Sequence, residues 1–301
     1  MRNTSDGIWK VNLILTDDSD QQLKDLTHHM RNGTSGATGW HRLGSLMTAM
    51  GQFDKAEEFY VSAFEMTPDN DLKELTHLHH KLGRIHDEKG DLEAALFHYK
   101  ETLSIQLGDV PRDDPSLSLT YHTTGIGSVL MTQYDFDKAS DHFQHSLSIT
   151  LQNPNPDLLK IATIHSYMSE IFYEFKEFKN SLTSHQEALN ARQKHLPPVH
   201  PLLVTTYNSI GLVHETTNGH LKALYFYEKT LNIEEKSLPS NHPTLVVVYH
   251  NMSEVLERLN RYQEAVKYQM HAVNIVRMAY EPDHQQLKQE ENDFKKLQEK
   301  L

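Results

Sequence analysis

The side chains best suited to chemistry in this sequence are its 21 histidines among 301 residues, densest at His77-Leu78-His79-His80. Imidazoles hold zinc when three or four ligands converge, usually with carboxylate or thiolate help. Thiolates are excluded because the chain has no cysteine, which also removes disulfides and cysteine nucleophiles. The histidines recur at spacings where other parts of the chain place bulky apolar side chains, His79 and His165 at one such position, His86 and His214 at another. Most of them therefore read as packing residues, and no metal or other cofactor is expected. Their titration matters for charge: protonating all 21 would carry the formal net charge from −12 to +9. Gly125-Ile126-Gly127-Ser128 has neither the G-x-S-x-G of a nucleophile elbow nor the G-K-[ST] of a phosphate loop. The run from Gly33 to Gly39 lacks the spacing of a dinucleotide fingerprint, and Asp17 to Asp20 lacks the glycine and distal glutamate of a calcium loop. No catalytic residue is expected.

The elements that carry these residues repeat. Small residues stand at Gly44, Gly83, Gly127, Ser169, Gly211 and Ser253, at spacings of 39, 44, 42, 42 and 42. Twelve residues after each comes another: Ala56, Ala95, Ala139, Ser181, Ala223, Ala265. In the fifth unit Leu203, Tyr207, Ile210 and His214 form one helix stripe, the pattern breaks at Asn218-Gly219, and Leu221, Leu224, Tyr227 and Leu231 form a second. Prolines between units, as in Leu196–Pro201 and Leu238–Pro243, suit a first helical turn, where a missing N–H costs nothing. Small residues at two fixed positions let paired helices approach closely. An apolar content of 38% is low for a compact chain of this length and suits an extended stack. The acidic balance disfavours nucleic acid as a partner, since phosphates need a basic footprint. No apolar run approaches the roughly 18 residues of a membrane span. Lys10 and Asn12 interrupt Ile8–Leu15, so a secretory signal is not expected and a soluble cytoplasmic protein is.

Trp40, Leu43-Gly44, Ala56, Tyr60, Ala63 and Pro68 follow one repeat signature nearly throughout, with Met47 in place of its tyrosine. This resembles the tetratricopeptide repeat (TPR). The 42-residue period and the joints at His200-Pro201 and His242-Pro243 are similar to the kinesin light chain subfamily, whereas Asp114-Pro115 and Asn155-Pro156 depart from that joint. The resemblance spans residues 37 to about 280. It implies an all-α, right-handed superhelix of six helix-turn-helix units over 37–281. Residues 282–301 are expected to form a capping helix with Leu287, Phe294, Leu297 and Leu301 on one face, the alternative being a partner-binding amphipathic helix. Residues 1–36 form a non-repeat stub: a strand at Ile8–Leu15 with no sheet in sight, a short helix bearing Leu23, Leu26 and Met30, and a Gly-rich joint. The stub is similar to the joint after an arginine ADP-ribosyltransferase domain in invertebrate proteins. No Glu-x-Glu pair occurs in the chain, so ribosyl transfer is not expected.

The resemblance also implies that the first helix of each pair lines a concave, peptide-binding groove. Counting from the small-residue positions, the first two units supply His41, Arg42, His80, Lys81 and Arg84, and the third Tyr121, Thr124 and Ser128. The last three supply Glu170, Tyr173, Glu174, Asn208, Glu215, His250, Glu254 and Glu257. The groove is expected to be basic near its N-terminal end and acidic towards the other. Its ligand is then a protein segment with Asp or Glu beside an apolar anchor. The paired asparagines of the subfamily survive only as Asn208 and Asn251. A cargo adaptor like kinesin light chain, or an accessory region of a repeat-bearing transferase, are the alternative roles. Oligomeric state is left open.

Overall fold

The computed structural model describes residues 2–3, 9–10, 39–109, 125–279, 281 and 283–301. Among them are thirteen helices: α1 (Gly39–Ala49), α2 (Phe53–Met66), α3 (Leu72–Lys89), α4 (Leu92–Asp109), α5 (Ile126–Thr132), α6 (Phe136–Gln152), α7 (Leu158–Glu174), α8 (Phe178–His195), α9 (Pro201–Thr216), α10 (His220–Ser237), α11 (Leu245–Arg258), α12 (Tyr262–Ala279) and α13 (Gln285–Gln298). The chain forms two compact units, residues 1–110 with α1 to α4 and residues 111–301 with α5 to α13. Within each, consecutive helices pack on one another.

Local sequence explains the boundaries. Asp71, Asp135 and Asp157 accept backbone N–H groups of the following turn at 3.0–3.4 Å, as good N-caps do. The His-Pro joint works the same way: His200 Nδ1 accepts from the Leu202 N–H at 3.1 Å while Pro201 takes the first helical position. His284 caps α13 identically, accepting from the Gln286 N–H at 3.2 Å. Each turn within a pair has one left-handed residue seven positions after the small one. It is glycine at Gly51 and Gly90, but Tyr134, Lys176, Asn218 and Asn260 have φ of 59–62°.

Packing accounts for the two small positions. All six residues of the Ala/Ser set, from Ala56 to Ala265, are fully buried. The earlier small residue faces the side chain sixteen positions on, in the partner helix. A Cβ on Gly44 would sit 2.7 Å from the Tyr60 ring, and one on Gly211 would sit 2.5 Å from that of Tyr227. Serine stands at this position only where the facing residue is not Tyr or Phe, namely opposite His185 and Gln269. There its hydroxyl donates to the crossing helix: Ser169 Oγ to Ser181 O at 2.8 Å, Ser253 Oγ to Ala265 O at 3.0 Å.

The ends differ from expectation in three ways. Trp9–Lys10 is a strand, but it is not alone, since it pairs antiparallel with Arg2–Asn3. The rest of Ile8–Leu15 and the Leu23/Leu26/Met30 segment lie outside the described residues, and Gly39 belongs to α1 rather than to a joint. Helix α13 packs on α12 with Leu287 and Leu297 in the core, whereas Leu301 falls beyond its end and is 66% exposed.

Candidate functional site

In the first unit, α3 carries His80, Lys81 and Arg84 on consecutive turns. Ser45 and Thr48 from α1 and Tyr60 from α2 face the two cations across a cleft of about 280 Å³, with Glu88 also lining it. Lys89, one turn further on, holds Asp54 and Glu57. Neither Lys81 nor Arg84 makes an ion pair among the described residues. Burial draws the Lys81 pKa down, and the neighbouring Arg84 charge adds to that. His80 is pushed down to about 4 by burial and then by Lys81 and Arg84, so it is neutral at pH 7, and its ring lies tilted against that of Tyr99 at 5.8 Å. Arg42 is exposed on α1. His41, expected in the groove, is a core residue: it is 2% exposed, its Nε2 lies 2.9 Å from a Glu74 carboxylate oxygen, and its ring meets Tyr60 and His77. The helix phase put it one step from the concave face, and its burial takes it out of reach of a ligand.

Tyr121 and Thr124 lie outside the described residues. Ser128 is half-buried and donates to the Gly125 carbonyl at 2.9 Å.

The second unit brings several of the remaining candidates together on the first helices of its pairs. Tyr173 Oη lies 2.9 Å from Thr216 Oγ1, and Asn251 donates to Asn208 at 3.2 Å. Both contacts join one helix pair to the next. Glu170 keeps solvent access, and partial burial raises its pKa against the opposing charge of Arg192. Glu215 accepts from the Tyr227 hydroxyl at 2.8 Å and lies 3.7 Å from Arg258. Glu257 is paired with Lys300. His250 is also occupied, its Nδ1 lying 3.2 Å from Glu290 of α13, and that hydrogen bond raises its pKa. Glu254 remains exposed, and its nearest ionic neighbour is His250 at 4.0 Å. Glu290 was not legible as a site residue, because the contact spans 40 residues of sequence.

His79 and His214 pack against aromatic rings. His79 is buried, edge-on to Phe64, with Nδ1 3.0 Å from His98 Nδ1, and His214 stacks on Phe226. Among the described residues no group of three or more His, Asp or Glu is arranged to hold a metal, and no helix is long and apolar enough to cross a membrane.

A tetratricopeptide repeat model matches residues 37–107 and 160–236, and a second model of the same description matches 245–286, together well over half the chain. The chain belongs to the tetratricopeptide repeat family. Its fold is similar to that of BtubC (BKLC) from P. vanneervenii, with a TM-score of 0.63 at 19% identity, covering 82% of this chain and 96% of that one. It is also similar to the apo form of RapI, with a TM-score of 0.66 at 13% identity, covering 92% and 75%. A putative kinesin light chain with TPR-like repeats from Podosopora anserina gives 0.56 at 15% identity, covering 68% and 97%. At such identities the likeness is one of fold. No curated protein matches the sequence. The transferase-like reading of the stub gains no support from these matches.

Proposed function

We propose that this TPR chain is a non-catalytic interaction module that binds peptide segments on the concave faces of its first helices. The observation that carries the reading is the Lys81/Arg84 pair, partly buried and without an ionic partner among the described residues, in a cleft open to solvent. On a chain of net charge −12, such a patch attracts acidic segments and disfavours them elsewhere, which orients a ligand as well as holding it. The ligand is a segment with Asp or Glu beside an apolar anchor. Arg84 contributes more than Lys81, because a guanidinium grips a carboxylate in two places.

The test is a peptide display screen against the full chain, followed by charge reversal. Lys81→Glu with Arg84→Glu abolishes binding of the selected peptides, Glu254→Lys has the weaker effect, and added salt weakens binding. Selected peptides that are basic, or that bind the double reversal equally well, overturn the reading.

The 42-residue period, the His-Pro joints and the fold likeness to a putative kinesin light chain favour a second reading, a cargo adaptor of that type. Recovery of kinesin heavy chain in a pulldown with the full chain supports it; recovery of peptide-bearing clients without heavy chain supports the first.

A further inference from the structure

The cleft between α1, α2 and α3 has more donors than a carboxylate needs. Lys81 and Arg84 lie three residues apart on one helix and point into the same 280 Å³ space. Two like charges held partly out of water with no ion pair among the described residues are unfavourable, and the Lys81 pKa is depressed by burial and then by Arg84. Asp87 and Glu88 follow on the same helix. Asp87 feels the Arg84 charge without pairing with it, and Glu88 is exposed at the rim, where solvent screens it.

The wall opposite the cations adds neutral donors. Ser45 Oγ and Tyr60 Oη are 2.9 Å apart, so one hydroxyl donates to the other, and Tyr60 also hydrogen-bonds Thr48. Burial raises the Tyr60 pKa, which keeps the phenol protonated. Thr48 is already committed to the Gly44 carbonyl at 2.8 Å. Among the described residues, the charged donors without an ionic partner are thus a guanidinium fork and an ammonium, with the Ser45/Tyr60 hydroxyl pair beside them. A carboxylate, with two oxygens and one charge, satisfies the fork and leaves the ammonium unmatched. A phosphomonoester has three terminal oxygens and a charge of about −1.5 to −2 near neutral pH, which matches both cations and leaves an oxygen to face the hydroxyl pair. The cleft is of side-chain size, below the roughly 300–1,000 Å³ of sites that enclose whole cofactors.

We infer that the Lys81/Arg84/Tyr60 cleft is a phosphomonoester site that takes a phosphorylated serine or threonine of a partner peptide. This rests on the peptide-binding reading above and narrows its ligand: phosphorylation of the partner switches binding on.

The test titrates three probes into the full chain at a pH of about 7.5, above the second phosphate pKa near 6. They are one acidic peptide carrying phosphoserine, the same peptide with glutamate in its place, and inorganic phosphate. The phosphoserine peptide binds at least about tenfold more tightly than the glutamate peptide, a difference of about 1.4 kcal/mol. Lys81→Gln and Arg84→Gln each remove that preference, Arg84→Lys retains only part of it, and Glu88→Gln enlarges it. Unchanged thermal melting of the variants shows that the fold is intact. Equal binding of both peptides overturns the phosphoryl assignment and leaves the acidic-peptide reading standing. Failure of both peptides overturns both. Inorganic phosphate binding as tightly as the phosphoserine peptide overturns the assignment to a peptide, and a preference that survives both glutamine variants places the site elsewhere.

Discussion

Glu234 is the residue least well served by its surroundings. It is 8% exposed on α10, one carboxylate oxygen has no hydrogen-bond partner among the described residues, and burial pushes its pKa up to about 7. Arg192 stands at the equivalent place one pair earlier and reaches Thr206 at 2.6 Å in the next helix. Forty-two residues on, Thr206 is replaced by Val248, which offers no donor. A carboxyl whose folded pKa lies above its unfolded value near 4.5 contributes stability that is complete below that value and lost as pH rises through about 7. Glu234→Met is therefore expected to stabilise the protein by about 1–3 kcal/mol above neutrality, with the gain shrinking towards pH 4.5, as read by denaturant titration at the two pH values. At the crossing position the sign reverses. Ala223 is 0% exposed, so Ala223→Phe costs at least about 1–3 kcal/mol by overpacking. Lys222→Ala, on the adjacent exposed position, changes stability by under about 0.5 kcal/mol.

At the scale of the element, the turn within each pair is the weakest link. Lys176 and Tyr134 occupy the left-handed region that costs a side-chain-bearing residue roughly 1–2 kcal/mol. Gly51 and Gly90 show what the position prefers. Lys176→Gly is expected to raise the thermal midpoint although it removes side-chain atoms, and Lys179→Gly, inside α8, to lower it. Helix α13 is bound by both apolar and polar contacts. Leu287 and Leu297 enter the core, while Glu290, 5% exposed, accepts from Gln269 at 2.6 Å and meets His250. Deleting residues 283–301 uncovers the face of α12 and leaves Gln269 and His250 unmatched. Self-association by light scattering is the expected outcome, since helical arrays rely on polar terminal faces.

For the whole molecule, the histidines set the acid limit. His80, His98 and His185 are held at about 4 by burial, with nearby cations or histidines adding to it. A histidine whose folded pKa lies below its unfolded value near 6.5 contributes stability that is present above that value and lost as pH falls towards 4. The thermal midpoint should therefore fall between about pH 6.5 and 4, against the smaller, opposite contribution of Glu234. His185→Gln, which copies Gln269 at the equivalent place, should flatten that fall; an unchanged slope would assign it to other groups.

Much of this was legible in the sequence because the same local code is written six times. The Gly/Ser and Ala/Ser positions, the His-Pro starts and the helix stripes are short-range patterns, and repetition separates them from chance. Those patterns determined the all-helical repeat fold and the burial of all six residues from Ala56 to Ala265. Side-chain direction was harder, since one residue on a helix turns the side chain by about 100°. That step is why His41 reads as a groove residue and is a core one, while Lys81 and Arg84 do face the cleft. Contacts between distant elements were not legible at all. The placing of Lys81 and Arg84 in one cleft with Ser45 and Tyr60, the loss of His250 to Glu290, and the burial of Glu234 depend on how separate helices come together. Only packing decides which polar group meets which partner, because a single repeat motif tolerates Tyr, Phe, His or Gln at the same facing position.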